Sequence, residues 1–149
     1  ELVKKSGYPG MKILQFAFDS REESDYLPHN YTHNCVVYTG THDNDTVMGW
    51  YDTLKGADKK LCDDYLRLKN ADGEPIPREQ LPWEFVRAAM SSVADLAIIP
   101  MQDYLGLGSE ARINIPSTLG INWKWRMGNG DFTKELAGRI RSMTKLYGR

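Results

Sequence analysis

Three short apolar runs, separated by longer polar or mixed stretches, dominate the pattern of this chain. They cover residues 11–18, 34–39 and 96–99, and the third continues toward Met101. Each run is almost continuously apolar and lacks strict alternation, which is typical of a parallel strand covered on both faces. The pattern therefore predicts three buried parallel strands.

Apolar residues at helical spacing mark three further segments. The first helix is expected over residues 57–69, the second begins at Pro82, and the third is capped by Asp131. These stripes predict packing against a core rather than cofactor binding. Their members are Leu61, Tyr65 and Leu68, then Phe85, Ala89, Val93 and Leu96, and finally Leu136, Ile140, Met143 and Tyr147.

The order of strands and helices predicts βα units, and thus an α/β protein. A closed (β/α)8 barrel takes roughly 200 residues or more, whereas this chain has 149. The chain is therefore either a small open sheet or a piece of a barrel. The stretch at residues 70–82, rich in Pro and turn residues, is interpreted as a loop. We expect residues 1–149 to form one architecture.

Composition narrows the functional classes. The chain has 19 basic and 20 acidic residues, a net charge of -1, which argues against a nucleic-acid surface. No polybasic membrane patch occurs, the apolar runs are too short to span a bilayer, and no secretory leader is recognisable from Glu1 onward. Cys35 and Cys62 lack the spacing of a zinc site. Two reduced thiols predict a cytoplasmic location.

The second apolar run ends at His42-Asp43, the most informative pair in the chain. In a parallel α/β protein, catalytic groups lie at the carboxyl ends of strands. One interpretation is structural, with Asp43 capping the next helix and His42 bonding to the backbone. The other is a sugar site, because a carboxylate can accept hydrogen bonds from neighbouring hydroxyls and an imidazole can donate to one.

Metal binding at His42-Asp43 is disfavoured because the chain has too few additional ligands. A metal-binding His-Asp dyad needs further ligands, and the chain offers only His29 and His33 as additional histidines. Residues 43–45 also lack the later glycine and acidic residues of a calcium loop. We expect no metal and no organic cofactor.

A glycine-rich loop follows the third run and leads to Asn114, whose amide both donates and accepts, as sugar hydroxyls require. It lacks the Gly-Lys-Ser/Thr ending of a phosphate loop. The structural alternative is a plain surface loop in which Arg112 pairs with Glu110 or another carboxylate. Trp50, Trp123 and Trp125 lie near predicted strand ends, and such rings either stack on a pyranose or simply pack. For Trp50 both roles remain open, whereas packing is favoured for Trp125.

Three long blocks taken together resemble a known family. They are GYPGMKILQFAFD at residues 7–19, LPHNY followed by VVYTGTHDNDTVMGW within residues 27–50, and PMQDYLGLGSEARINIPSTLGINWKWR at residues 100–126. The chain resembles the C-terminal part of a 4-alpha-glucanotransferase, a group also called amylomaltases or disproportionating enzymes. These enzymes form glycoside hydrolase family 77 of the α-amylase superfamily.

The resemblance implies a glycosyltransferase of starch and maltose metabolism, with this chain supplying about the last three βα units of a (β/α)8 barrel. Such an enzyme transfers α-1,4-glucan segments, with retention, to the 4-hydroxyl of glucose or another malto-oligosaccharide. Its nucleophile and acid/base blocks, Arg-x-Asp and Glu-Asp-Leu-Gly, are absent from this chain. We therefore expect the chain alone to be inactive and a truncated barrel to self-associate.

The resemblance also implies roles for individual residues. Asp43 corresponds to the carboxylate that stabilises the transition state, and His42 to its partner. The candidate substrate-binding residues, to which Trp50 is added for its possible stacking on a sugar, are Asn114, Phe16, Trp50, His29 and Asn30. The alternative function is a non-catalytic glucan-binding or interaction module. An unrelated α/β hydrolase is disfavoured because no Gly-x-Ser-x-Gly sequence occurs.

Overall fold

The computed structural model describes residues 5–149, so the first four residues of the expected 1–149 unit lie outside the described residues. The three apolar runs form a parallel sheet in the order β1-β2-β3. Its strands are β1 (Gly10–Ile13), β2 (Cys35–Tyr38) and β3 (Leu96–Ile98). The prediction of three parallel strands is confirmed, although each strand is shorter than its apolar run.

Two strands end earlier than predicted, each for a local reason. After Ile13 the chain turns into a 3-10 helix, Leu14–Ala17, which buries Leu14 and Ala17 in the core together. After β3, Pro100 has the fixed φ of proline, -58°, and begins a helix in place of the expected strand continuation toward Met101.

The described helices are α1 (Val47–Tyr51), α2 (Gly56–Leu66), α3 (Leu81–Met90), α4 (Met101–Leu105) and α5 (Lys134–Leu146). The prediction of helix to residue 69 is wrong, because Arg67 adopts a left-handed backbone (φ 56°, ψ 48°) that ends α2. The prediction of a stripe through Val93 is also wrong: α3 ends at Met90, and Val93 is 47% exposed.

The cap predicted for α5 is likewise corrected. Asp131 accepts a hydrogen bond from the Gly128 amide at 2.7 Å, and the Thr133 hydroxyl instead caps the helix by accepting from the Leu136 amide at 3.1 Å. The predicted stripe on α5 is half-buried, and none of its members is fully buried. The helix α5 therefore packs on the surface of the other elements, in contact with α3.

Buried apolar side chains form a continuous layer, here called the apolar layer, between α1, α2, α3 and the 3-10 helix after β1. Phe85 of α3 is completely buried at its centre, with its ring centroid 5.9 to 6.3 Å from those of Trp50, Tyr51 and Phe18. Non-directional burial of this kind is the dominant favourable contribution to folding. Other buried members are Leu14, Ala17, Val47, Met48, Cys62, Leu66, Leu68, Leu81 and Ala88.

The two faces of the sheet differ. Cys35 and Val37 of β2 are buried in a small cluster with Ala89 of α3. The strand pairing places Met11 and Leu96 on the opposite face, where both side chains are exposed. One face of this sheet is therefore covered by helix, whereas the other, here called the open face, is exposed around Met11 and Leu96.

Both cysteines are free thiols, as predicted, and both are fully buried. Burial raises the pKa of the Cys62 thiol well above its ordinary value. Within residues 5–149, no helix combines the length and the apolar character needed to cross a bilayer.

Candidate active site

The carboxyl ends of the three strands meet at one edge of the sheet, because the strands are parallel. A short polar turn at residues 41–45 follows β2. Asn44 Oδ1 accepts hydrogen bonds from the Thr41 amide at 2.9 Å and the Thr41 hydroxyl at 2.7 Å, and the Asp43 amide donates to Thr41 Oγ1 at 3.3 Å. This turn leaves the side chains of His42 and Asp43 half exposed at the end of the strand.

The capping role considered for Asp43 is not what the structure shows. The Thr46 hydroxyl caps α1 by accepting from the Gly49 amide at 3.1 Å. His42 Nε2 lies 3.2 Å from Asp43 Oδ1, so the imidazole contacts the carboxylate. The half-exposed side chain of Asp43 thus contacts His42 and does not cap a helix.

Asn114 and Arg112 join the glycine-rich loop to this turn. Asn114 Nδ2 donates to Asp43 Oδ1 at 2.6 Å across 71 residues of sequence. Arg112 donates from Nη2 to the Asp43 carbonyl at 2.7 Å and from Nε to the Asn114 carbonyl at 2.9 Å. The alternative in which Arg112 pairs with Glu110 or another carboxylate is wrong, because its guanidinium donates to these two backbone carbonyls. Arg112 instead fixes the backbone on both sides of the Asp43–Asn114 contact.

A set of polar side chains, here called the polar edge, lies behind this contact and comprises Gln15, Thr39, Asp45, Asp103 and Ser109. Gln15, just after β1, donates to the Asp45 carbonyl at 2.8 Å. The Ser109 hydroxyl donates to Asp45 Oδ2 at 2.6 Å. These bonds connect the region after β1 and the loop after α4 to the turn that carries Asp43.

Asp103 is the buried carboxylate of the polar edge, only 1% exposed, and was not among the predicted site residues. Its carboxylate accepts from the Thr39 hydroxyl at 2.5 Å and from the Val47 amide at 2.8 Å. Burial raises the pKa of Asp103 to about 6, although the two hydrogen bonds act in the opposite direction. The neighbouring Gln102 donates to the Ala111 carbonyl at 3.2 Å. The sequence signal for this residue was a Gln-Asp pair that follows the third apolar run and Pro100.

The remaining predicted residues fall into separate surroundings. Phe16 lies just after β1, is exposed, and makes an edge contact with Tyr26. His29 Nδ1 lies 3.0 Å from the Tyr65 hydroxyl of α2, and Asn30 Nδ2 donates to the Ser24 carbonyl at 3.1 Å. These bonds tie His29 and Asn30 to α2 and to the preceding loop, and neither bond is to the Asp43 turn.

Trp50 and Trp123 have different surroundings. Trp50 packs against Phe18 and Phe85 of the apolar layer, which are the contacts of a packing residue. The ring of Trp123 instead lies against His42, with a centroid distance of 5.1 Å. Trp123 is therefore the tryptophan with a ring contact to the His42-Asp43 pair.

Metal binding finds no geometric support in the described part of the chain. Among residues 5–149, no group of three or more His, Cys, Asp or Glu side chains is arranged to hold an ion. The side chains gathered around Asp43 are instead an imidazole, an amide and a guanidinium, all of which hydrogen-bond to neutral polar groups.

The fold is that of an α/β protein with a parallel sheet. At the carboxyl edge of this sheet, a carboxylate, an imidazole and an amide form a site suited to a hydroxyl-rich ligand. Comparison with known proteins makes this class specific. The sequence model described as 4-alpha-glucanotransferase matches residues 1–131. The chain belongs to this family.

Individual proteins of this family are similar to the chain along its whole length. A 4-alpha-glucanotransferase of Clostridium butyricum is 49% identical over 150 residues, which cover 100% of this chain and 29% of that protein. The chloroplastic/amyloplastic 4-alpha-glucanotransferase DPE1 of Arabidopsis thaliana is 46% identical, covering 100% of this chain and 25% of that protein. The chain thus spans about a quarter to three-tenths of the length of these relatives.

A solved structure gives the same result for the fold. The amylomaltase from Streptococcus agalactiae in complex with acarbose matches with a TM-score of 0.86 and 37% identity. The match covers 99% of this chain and 29% of that protein. The arrangement of strands and helices is therefore that of the corresponding part of an amylomaltase.

Proposed function

We propose that this chain forms one side of the glucan-binding cleft of a 4-alpha-glucanotransferase. The observation that carries the proposal is the contact of Asp43 with His42 and Asn114 at the carboxyl edge of the sheet. In the proposed whole protein, the three strands are the last three of a (β/α)8 barrel. The exposed apolar side chains of Met11 and Leu96 support this, because the inner face of a barrel is filled by apolar side chains.

The proposed reaction is a double displacement with retention, which uses two carboxyl groups outside this chain. One carboxylate attacks the anomeric carbon of a malto-oligosaccharide while the other carboxyl group protonates the leaving oxygen. The same acid/base group then removes the proton of an acceptor 4-hydroxyl, which displaces the enzyme carboxylate. Glucose or another malto-oligosaccharide serves as the acceptor in place of water.

The residues of this chain bind the glucosyl unit whose anomeric carbon is attacked. Asp43 accepts hydrogen bonds from its hydroxyls, and His42 and Asn114 supply neighbouring donors. Bonds to hydroxyls that strengthen as the oxocarbenium-like state forms lower the barrier. The Arg112 bridge holds the two sides of this contact in place before the sugar binds.

The test uses the complete protein that carries this chain, with maltotriose as substrate. We expect Asp43→Asn to lower kcat by about a hundredfold to a thousandfold, as removal of a transition-state hydrogen-bonding group does, with maltotriose binding still measurable. Asp72→Asn, in the exposed loop after α2, is the matched control and should leave kcat unchanged. An Asp43→Asn enzyme with full transfer activity would contradict the proposal.

The 149-residue chain alone should show no transfer, because the loss of a nucleophile costs several orders of magnitude in rate. If the complete protein bound maltotriose without any transfer, the alternative of a non-catalytic glucan-binding module would replace the enzyme. A cytoplasmic location is part of the proposal and is supported by the two free thiols.

Self-association of the isolated chain is a further part of this proposal. The open face of the sheet and the outer edges of β1 and β3 are apolar or unpaired among the described residues. Such edges and faces promote pairing with another chain. We expect the apparent mass in light scattering to rise with concentration. A monomer at every concentration would contradict this expectation.

A further inference from the structure

Trp123 has a backbone conformation that is unusual for a large side chain. Its φ is 64°, in the left-handed region that glycine favours. The Trp123 amide donates to the Ile113 carbonyl at 2.7 Å, which fixes the residue next to Asn114. Strained backbone of this kind is concentrated at functional sites, where the surrounding structure holds it.

The loop before Trp123 is closed by its own polar contacts. Asn122 Oδ1 accepts from the Ile115 amide at 2.9 Å, and Asn122 Nδ2 donates to the Thr118 carbonyl at 3.1 Å. Most side chains of this loop are exposed, so hydrogen bonds and not burial determine its shape. The ring of Trp123 is therefore placed beside His42 by a preorganised loop.

Trp123 is more exposed than a tryptophan whose role is only packing. Its side chain is 56% exposed although one side of the ring contacts His42. Trp83 of α3, in contrast, is 5% exposed and is covered by the Arg139 guanidinium, 3.7 Å from its ring. An indole that is held in a strained position and still faces solvent has surface left for a ligand.

We propose that Trp123 is a sugar-binding residue that also positions His42. Its exposed indole surface packs against the C–H groups of a glucosyl unit next to the one held by Asp43 and Asn114. Its contact with the imidazole keeps His42 beside the Asp43 carboxylate. This inference rests on the proposed function and adds to it a residue that selects for a chain of pyranose rings over a single small polyol.

The test measures maltohexaose binding to the complete protein that carries this chain by NMR, using the indole N–H signals and the His42 ring protons. Trp123→Gly removes the indole and tolerates the left-handed backbone, and Trp123→Phe keeps an aromatic ring. We expect Trp123→Gly to weaken maltohexaose binding by about threefold to tenfold, the range of one aromatic contact. Trp123→Phe should recover part of this loss.

Trp125→Ala is the matched control, because it removes the same residue type two positions further along the loop. It should leave maltohexaose binding unchanged. In the complete wild-type protein, the Trp123 indole signal should move on addition of maltohexaose. Trp123→Gly should also shift the His42 ring protons in the absence of sugar, because it removes the ring current, whereas Trp125→Ala should not.

The outcomes separate this inference from the proposed function. If Asn114→Ala weakens binding and Trp123→Gly does not, the inference is wrong and the proposed function stands. If Trp123→Gly and Trp125→Ala weaken binding equally, Trp123 acts only through the fold of the loop, and the inference is again wrong. If the complete wild-type protein does not bind maltohexaose at millimolar concentration, both are overturned.

Discussion

Phe85 and Asp103 are both completely buried, but the regions around them are built in different ways. Around Phe85, aromatic rings and aliphatic side chains fill space in the apolar layer, and no contact depends on a single direction. Around Asp103, each neighbour in the polar edge is held by a hydrogen bond at a defined atom. The apolar layer stabilises the fold, whereas the polar edge fixes where the side chains of the site lie.

The comparison predicts its largest effect on stability in the apolar layer. Phe85→Ala removes the ring that contacts Phe18, Trp50 and Tyr51 and leaves a cavity. We expect the free energy of unfolding to fall by about 3–5 kcal/mol, measured by urea denaturation. Phe132→Ala, at an exposed phenylalanine, is the matched control and should change it by less than about 0.5 kcal/mol. Equal losses in the two variants would remove the distinction.

Asp103 should have a smaller effect that depends on pH. Because its pKa is raised to about 6, the unfolded chain loses this proton at lower pH than the folded chain does. The stability contribution of Asp103 is therefore full below about pH 4 and is lost as the pH rises toward 6. Relative to Asp103→Asn, wild-type stability should fall over this window by about 1–3 kcal/mol. Urea denaturation at pH 4, 5, 6 and 7 measures this difference, and parallel stability curves would contradict it.

Arg112 tests whether the hydrogen bonds that hold Asp43 and Asn114 act on the site more than on the fold. Arg112→Lys keeps the charge but loses the fork that bridges the carbonyls of Asp43 and Asn114. We expect maltohexaose binding to weaken by about threefold to tenfold and the free energy of unfolding to change by less than about 1 kcal/mol. Arg141→Lys, on the exposed side of α5, is the control. A large loss of stability with unchanged binding would reverse the interpretation.

The smallest effect is expected at the surface helix α5. Arg139 lies over the ring of Trp83, and this contact joins α5 to α3. Arg139→Ala should lower the free energy of unfolding by about 0.5–1 kcal/mol, the usual range of an exposed cation–π contact. Arg141→Ala on the same helix should have no measurable effect. A loss above the Phe85→Ala value would show that α5 belongs to the main core.

Much of the fold could be predicted from local pattern. The three strands were found because buried parallel strands leave continuous apolar runs, and α2, α3 and α5 because amphipathic helices repeat every 3.6 residues. The helices α1 and α4 were missed because five residues are too few to show a helical period. The errors at Met101 and Val93 have one cause: an apolar residue does not by itself reveal where an element ends.

The candidate site was predicted unevenly. His42 and Asp43 were candidates because they end an apolar run, and Asn114 because its amide suits sugar hydroxyls. The resemblance to a known family gave all three their roles, and the structure brings them together. Trp50 was a candidate for sugar stacking, and its contacts are those of the apolar layer. The supporting roles of Asp103 and Arg112 were not found, because each depends on partners far away in sequence.

The sequence by itself determined the parallel α/β character, the family and the turn that carries His42-Asp43. These features are encoded in short-range periodicity and in contiguous blocks. Only the tertiary structure decided which polar residues meet, because the bond from Asn114 to Asp43 spans 71 residues and that from Thr39 to Asp103 spans 64. A hydrogen bond requires two atoms at a defined distance and angle, and no local pattern specifies that placement before the strands pair.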